Sequence, residues 1–427
     1  MKVRAILAMS STAGAGIGMF AVAWLATLRL TPGEQGFFFS FLSLGGLLQI
    51  SDFGLSYATL VTAGRMVGAG RTHDLPGLGR FVNRFNVLLS AVTAVVVAGL
   101  GWFVFSGAAL ESSSAPISWP APWVAYLLGI LVSQWSLPGM SLREGGGNVT
   151  PMWRLRLVAE LLGASACLVA LYFGAGLWSL AVLAVTRGLA SAAWLRLGDP
   201  LRFSTDTTRF KTDQWMKESW PFQWKIGLSW LSGFLIFRAF SPLIMYEKGP
   251  VLAGQFGLAI AMMNLLISIT LAWPMSQTAR YTSMLVGRRF RELDAEFPVI
   301  LLRSTVLSAI GTTALILLLW FAREQGMVFA ERLTAPAMTA VILSCAVVHH
   351  IVGCIAVFLR AEGREPMLIP SLVGGLLVLA IVWLTARYGT MMDVAVSNLL
   401  MVVAGVPVTA LIYRHRRRVR GLEAKES

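Results

Sequence analysis

Seven ionisable positions in this chain stand where a charge is expensive. Asp52, Glu160, Arg187, Arg238 and Arg303, with the adjacent pair His349 and His350, all lie inside long apolar runs. Placing Asp, Lys or Arg at the centre of a membrane helix costs roughly 2.5–3.5 kcal/mol, so such groups must face a partner or a wet cavity. Arginine suits phosphate, because its planar guanidinium is permanently charged and donates in pairs. That chemistry makes Arg187, Arg238 and Arg303 candidates for gripping an anionic substrate. A carboxylate in a low-dielectric site can titrate near neutrality, which makes Asp52 and Glu160 candidates for ion coupling. Gln223, Gly227, Trp230, Phe234 and Arg238 fall on one i,i+3/i+4 stripe that offers polar and aromatic groups to a sugar, with Gln223 and Trp230 the candidate contacts.

Each of these residues also has a plainer reading. Arg156 and Glu160 are spaced i,i+4 and suit a pair on one helix face. Arg303 and Arg238 lie near enough to opposite ends of their spans to snorkel. Arg187 and Asp52 are too central for that, which leaves an ion pair, with each other among the options, or a place in a cavity. Neighbouring histidines diverge by about 100° on a helix, so at most one faces a cavity. The stripe with Gln223 is also what a helix-packing face looks like.

The runs that carry these residues define the architecture. The chain has 427 residues, 56% of them hydrophobic and 13% charged, with mean hydropathy +0.70. Soluble domains carry about a quarter charged residues, so there is too little polar material here to coat a soluble surface. A helix needs about 20 apolar residues to cross a bilayer. Twelve stretches meet that length: 5–30, 37–64, 83–106, 121–142, 153–174, 177–196, 221–245, 252–277, 297–322, 335–359, 367–387 and 392–413. The expected fold is therefore an all-α polytopic membrane protein. Its expected parts are a lobe of six helices over 1–196, a cytoplasmic linker over 197–220, a second lobe over 221–413 and a basic tail over 414–427. Pro138, Pro274, Pro370 and Pro407 interrupt spans four, eight, eleven and twelve as candidate hinges, since proline removes a backbone donor and kinks a helix.

Basic residues set the expected orientation through the positive-inside rule. Of the 35 Lys and Arg residues, only Arg29, Lys248, Arg323, Arg332 and Arg387 fall in outer loops when both termini are cytoplasmic. The same bias explains the net charge of +14. The tail Arg414-His415-Arg416-Arg417-Arg418 then reads as an anchor to anionic lipid rather than a nucleic-acid patch. Trp102, Trp119, Trp123, Trp178 and Trp320 fall at outer edges, and Trp153, Trp194, Trp220 and Trp224 at inner ones, as an aromatic belt would. The three cysteines sit in apolar runs with no metal-ligand spacing, and no cofactor motif is present. No DxD, Walker-type or HExxH sequence occurs, and the longest outer loop, 106–120, offers only Glu111. These absences weigh against a membrane-embedded polymerase or glycosyltransferase, and no enzymatic role is expected.

The halves echo each other. Gly33-Glu34-Gln35-Gly36 enters span two and Gly254-Gln255-Phe256-Gly257 enters span eight, 221 residues later. With six helices between them, the halves would be related by an axis along the membrane normal. The stretch Leu28-Arg-Leu-Thr-Pro-Gly-Glu-Gln-Gly36, with Ser51-Asp52-Phe53-Gly54-Leu55 after it, resembles the start of bacterial polysaccharide flippases. These are the O-antigen and exopolysaccharide exporters of the MATE-like MOP superfamily. Ala253-Gly-Gln-Phe-Gly257, Trp273-Pro274 and the basic loop Gly287-Arg-Arg-Phe-Arg-Glu-Leu293 are similar too. The likeness covers residues 24–60 and 250–294. The lipid II flippase branch departs from it, with fourteen spans to the twelve here.

The resemblance implies two six-helix lobes around a cavity that opens alternately to each side of a bacterial inner membrane. Its implied cargo is an oligosaccharide on a polyprenyl pyrophosphate. A monomer coupled to H+ or Na+, working beside a polysaccharide polymerase and assembly proteins, completes the expectation. A multidrug exporter of the same superfamily is the alternative. Its mostly cationic substrates fit an arginine-rich interior poorly. A major-facilitator transporter shares the six-plus-six layout.

Overall fold

The computed structural model describes residues 2–111, 117–197, 212–361 and 366–423. Residues 198–211 of the expected linker and 424–427 of the tail lie outside them. The described chain is helical throughout, with no strand. In order, the helices are α1 (Lys2–Arg29), α2 (Pro32–Gln49), α3 (Leu55–Gly68), α4 (Leu75–Glu111), α5 (Pro120–Gly145), α6 (Val149–Tyr172), α7 (Trp178–Leu197) and α8 (Thr212–Phe237). They continue with α9 (Phe240–Lys248), α10 (Pro250–Ser276), α11 (Thr278–Val286), α12 (Phe290–Glu324), α13 (Val328–Glu331), α14 (Pro336–Arg360), α15 (Leu368–Tyr388) and α16 (Met391–Glu423). Every candidate span coincides with a helix or a pair of helices. Eight helices among the described residues are long and apolar enough to cross a membrane, or nine with the bent pair α8–α9 counted as one span.

The expected spans differ from the helices at three breaks. Span two is two helices, because residues 50–54 leave the helix and Phe53 and Gly54 take positive φ of 43° and 82°. Span seven bends by 44° between α8 and α9, and span eight ends at Gln277 before α11. The turn expected at Phe173–Gly176 is present, with Gly174 and Gly176 at φ 78° and 56°. Pro138 and Pro274 lie inside the unbroken helices α5 and α10. Pro370 corrects the expectation: it stands in the first turn of α15, where the missing N–H has no intrahelical role, so it does not interrupt a span.

The break in span two is held by side chains. Gln134 of α5 donates its amide to the carbonyls of Leu48 (3.1 Å) and Gln49 (3.2 Å), satisfying the end of α2. The same amide reaches Ser51 Oγ at 3.1 Å, and Asn86 of α4 donates to the Gln134 carbonyl at 2.9 Å. With no water in a bilayer core to replace them, freed backbone groups need such partners. We therefore expect Gln134→Leu, close in size but without donors, to destabilise the protein by about 2 kcal/mol or more. A thermal melt of the purified variant in detergent checks this, and an unchanged Tm would contradict the capping role.

Two compact units emerge from the packing, one comprising Met1–Phe234 with Arg238–Gly254 and the other Leu235–Phe237 with Gln255–Ser427. The first unit runs past the 197–220 linker and includes most of α8, all of α9 and the first turn of α10. Its core is aromatic: Phe37 and Phe41 of α2 meet Phe105 of α4 at 5.7 and 4.9 Å, and Trp123 of α5 joins them. Trp123 is 1% exposed, so it and the buried Trp119 are core residues rather than belt residues. Trp102, Trp178 and Trp320 are exposed, as a belt requires. In the second unit Phe297, Phe358, Tyr281 and Tyr413 form the equivalent cluster. There Arg417 of α16 pairs with Asp294 at 2.7 Å, and Arg420 lies over the Phe358 ring at 5.0 Å.

The two copies of the glycine motif meet. Gln35 donates its side-chain amide to the Gly254 carbonyl at 3.0 Å. A Cβ on Gly254 would come within 2.8 Å of the Gly36 nitrogen, and a Cβ on Gly36 would overlap the Pro250 carbonyl. Helices α2 and α10 both begin on a proline, at residues 32 and 250. Aligning those starts pairs Gly36 with Gly254, an offset of 218 rather than the 221 that a bare match of glycines suggests. Proline at the first helical position is the better anchor, because it fixes where each helix begins.

Candidate functional site

Within the first unit, α5, α6 and α7 approach closely enough to bring their charges together. Gly163 of α6 and Gly188 of α7 permit this: a Cβ on Gly188 would come within 2.9 Å of the Ser133 nitrogen, and one on Gly163 within 3.0 Å of the Leu183 carbonyl. Arg187, next to Gly188, therefore reaches Glu160 across the α6–α7 contact, with Nη1 at 3.1 Å from Oε1 and 3.4 Å from Oε2. The i,i+4 pair expected between Arg156 and Glu160 does not form. Arg156 instead pairs with Glu144 of α5 at 2.7 Å. Nor does Arg187 pair with Asp52.

These residues line a cavity of about 340 Å³ between α2, α5, α6 and α7. Gln49, Ser133 and Gln134 supply uncharged polar groups, and Arg156, Glu160 and Arg187 the charges. The side chains of Arg187 and Glu160 are 18% and 32% exposed, so the pair is half-buried but open to the cavity. Among the candidates named from the sequence, this site gathers Arg187 and Glu160.

Arg238 stands at the bend between α8 and α9. The bend frees its carbonyl, which accepts from the Ser43 hydroxyl of α2. Its guanidinium lies over Gly46, where a Cβ would meet Nη1 at 2.6 Å, and it is exposed despite that contact. Among the described residues it has no hydrogen-bond or ion-pair partner. Arg187 and Arg238 are within electrostatic range of one another and of the Tyr126 hydroxyl. The charges lining this cavity are thus paired, Arg187 with Glu160 and Arg156 with Glu144, while Arg238, outside its lining, has no partner among the described residues.

The other candidates are placed elsewhere. Asp52 is buried at the break in span two, where its carboxylate accepts from the backbone N–H of Gly54 (3.2 Å) and Ser56 (3.0 Å). A carboxylate at a helix N-terminus is stabilised by the helix dipole, so Asp52 caps α3. Gln223 and Gly227 pack α8 onto that break: a Cβ on Gly227 would come within 2.8 Å of Phe53. Gln223 is buried, and its Oε1 has no partner among the described residues. Trp230 is exposed. Arg303 stands on the exposed face of α12 with Val299, Leu302 and Val306. In the second unit His350 Nε2 meets Ser304 Oγ at 3.0 Å and Cys354 Sγ at 3.2 Å, and His349 packs on the Phe237 ring. Both histidines are core residues there. Among the described residues, no three His, Cys, Asp or Glu side chains cluster as a metal site would need.

Sequence reasoning missed Gln134, Glu144 and Tyr126. A scan for ionisable groups in apolar runs passes over glutamine and tyrosine, though Gln134 lies mid-way through span four and is as telling in lipid as a charge. Glu144 lies just beyond the span and carries no such signal.

No family model matches the sequence, and no curated protein matches it either. Solved structures do. An inward-facing multidrug resistance MATE family transporter of the MOP superfamily aligns over 98% of this chain and 99% of its own, with TM-score 0.72 and 14% identity. The MATE transporter VcmN of Vibrio cholerae, in a bent form, aligns over 98% and 97% with TM-score 0.63 and 16% identity. A MOP superfamily transporter from Pyrococcus furiosus, described as having a binding pocket of reverse polarity suggesting a different function, aligns over 98% and 96% with TM-score 0.59 and 16% identity. The chain has the fold of MATE transporters of the MOP superfamily.

Proposed function

We propose that the protein is a MATE-type membrane exporter that works by alternating access and moves an anionic, phosphate-bearing cargo. The fold supports the exporter. The observation that carries the cargo class is the Arg238 guanidinium, which has no partner among the described residues and stands within electrostatic range of Arg187, a lining residue of a cavity whose own charges are paired. A phosphate is the complementary ligand, because its oxygens accept the paired donors of a guanidinium. Within that class, a polyprenyl-pyrophosphate oligosaccharide bound for a bacterial surface polysaccharide is the cargo that the likeness at residues 24–60 and 250–294 suggests. Multidrug export coupled to H+ or Na+ is the second reading, and the structural likeness to multidrug resistance MATE transporters favours it. An excess of arginine over carboxylate in the first unit disfavours cationic drugs.

Deleting the gene in its host separates the two. Loss of a surface glycan, with completed repeat units accumulating on polyprenyl lipid at the cytoplasmic face, is the expected result. An unchanged glycan profile with new sensitivity to cationic compounds would transfer the assignment to multidrug export.

A further inference from the structure

An exporter must return empty, and an empty anion site presents uncompensated arginine to a low-dielectric interior. Glu160 answers that problem. Its two oxygens lie 3.1 and 3.4 Å from one Arg187 nitrogen, where a phosphate would place its own oxygens. It comes from a different helix, so the pair is not a by-product of neighbouring residues on one face. With its side chain 32% exposed to the cavity, it is not locked in by packing.

We infer that Glu160 is a built-in surrogate for the cargo: it occupies Arg187 when the site is empty and is displaced when an anionic group binds. The inference rests on the anionic-cargo reading. The other charges facing this position are Arg156, held by Glu144, and Arg187 itself, with Arg238 in electrostatic range of Arg187. Gln134 and Ser133 of α5 are the neutral polar groups on the same wall. Arg238, outside the cavity lining, has no carboxylate to displace and adds positive potential that draws an anion toward Arg187. The contact with Arg187 follows once the carboxylate swings into the cavity. Glu160 thus opposes binding and assists the empty return, two effects that a static structural pair would not separate.

The test uses the purified full-length protein in nanodiscs, with inorganic pyrophosphate as the probe and calorimetry as the readout. Glu160→Gln keeps the size of the side chain but gives up the charge that competes for Arg187. We expect it to bind pyrophosphate at least tenfold more tightly than wild type while exporting more slowly in cells. Glu144→Gln removes an equal charge from the Arg156 pair without touching Arg187, and we expect it to change affinity by less than about threefold. Equal affinity of wild type and Glu160→Gln would overturn the inference and leave the anion site standing. So would a gain in Glu144→Gln matching that in Glu160→Gln, since the effect would then be diffuse charge. Absence of pyrophosphate binding in wild type and both variants, with melting transitions intact, would overturn the anionic-cargo reading and this inference with it.

Discussion

Replacing Gly36 by alanine is expected to unfold the start of α10 from α2. The added methyl would overlap the Pro250 carbonyl oxygen and sit 2.6 Å from its carbonyl carbon and 2.8 Å from its Cα. All three are backbone atoms at the first turn of a helix, so no rotamer change can relieve the clash. Overpacking of a well-filled site costs about 1–3 kcal/mol. Loss of the Gln35 bond to the Gly254 carbonyl adds the desolvation of two groups with no water to replace them. We expect Gly36→Ala to lower Tm by many degrees or to yield little folded protein. Gly99→Ala, at a helical position with nothing within 4 Å, should melt like wild type. Matching transitions for both variants would show that the two motif copies do not pack as described.

Export should fall to about a tenth or less when Arg238 is replaced by alanine, with insertion and Tm unchanged. Its guanidinium holds no partner among the described residues, so its removal strands no other buried charge. A charge-assisted hydrogen bond contributes roughly 1.5–3 kcal/mol, which is one to two powers of ten in affinity. Arg187→Ala should reduce export as strongly, but it also leaves Glu160 without its partner in a half-buried site, which costs about 1–3 kcal/mol. That variant should melt lower, and adding Glu160→Gln should restore its Tm without restoring export. Complementation of the deletion strain, scored on surface glycan, reads all three. Wild-type export from a well-expressed Arg238→Ala would remove the reason for assigning an anionic cargo.

The helices were legible because lipid enforces apolar length: each of the twelve runs coincides with a helix or a helix pair, and eight or nine of these among the described residues are long and apolar enough to cross a membrane. The breaks were not. Residues 50–54 look continuous with the apolar pattern on either side, and what ends α2 is Gln134, 83 residues away from Ser51. Arg187 and Glu160 were each legible as charges needing partners. That they are each other's partners depends on Gly163 letting α6 close on α7 and Gly188 letting α7 close on α5, a packing fact that hydropathy does not encode. Asp52 stood out equally, yet its carboxylate is taken up by the N–H groups of a helix start invisible in the sequence. Trp123 misled because tryptophan at a span edge signals a belt, whereas here the helix turns that ring inward onto Phe41 and Phe105.

Helix α16 continues for 33 residues, from Met391 to Glu423, and Pro407, expected to interrupt it, lies inside it without ending it. At 1.5 Å per residue it is a rod of roughly 50 Å. Its basic end is clasped to α12 by Arg417 and Asp294 and weighted by Arg420 on Phe358. A probe on the exposed Arg418 would therefore carry almost no slack of its own, and its angle would be the angle of the second unit. The helix is a ready-made pointer, from which polarised fluorescence or spin-label orientation could follow each stroke of the transport cycle in real time.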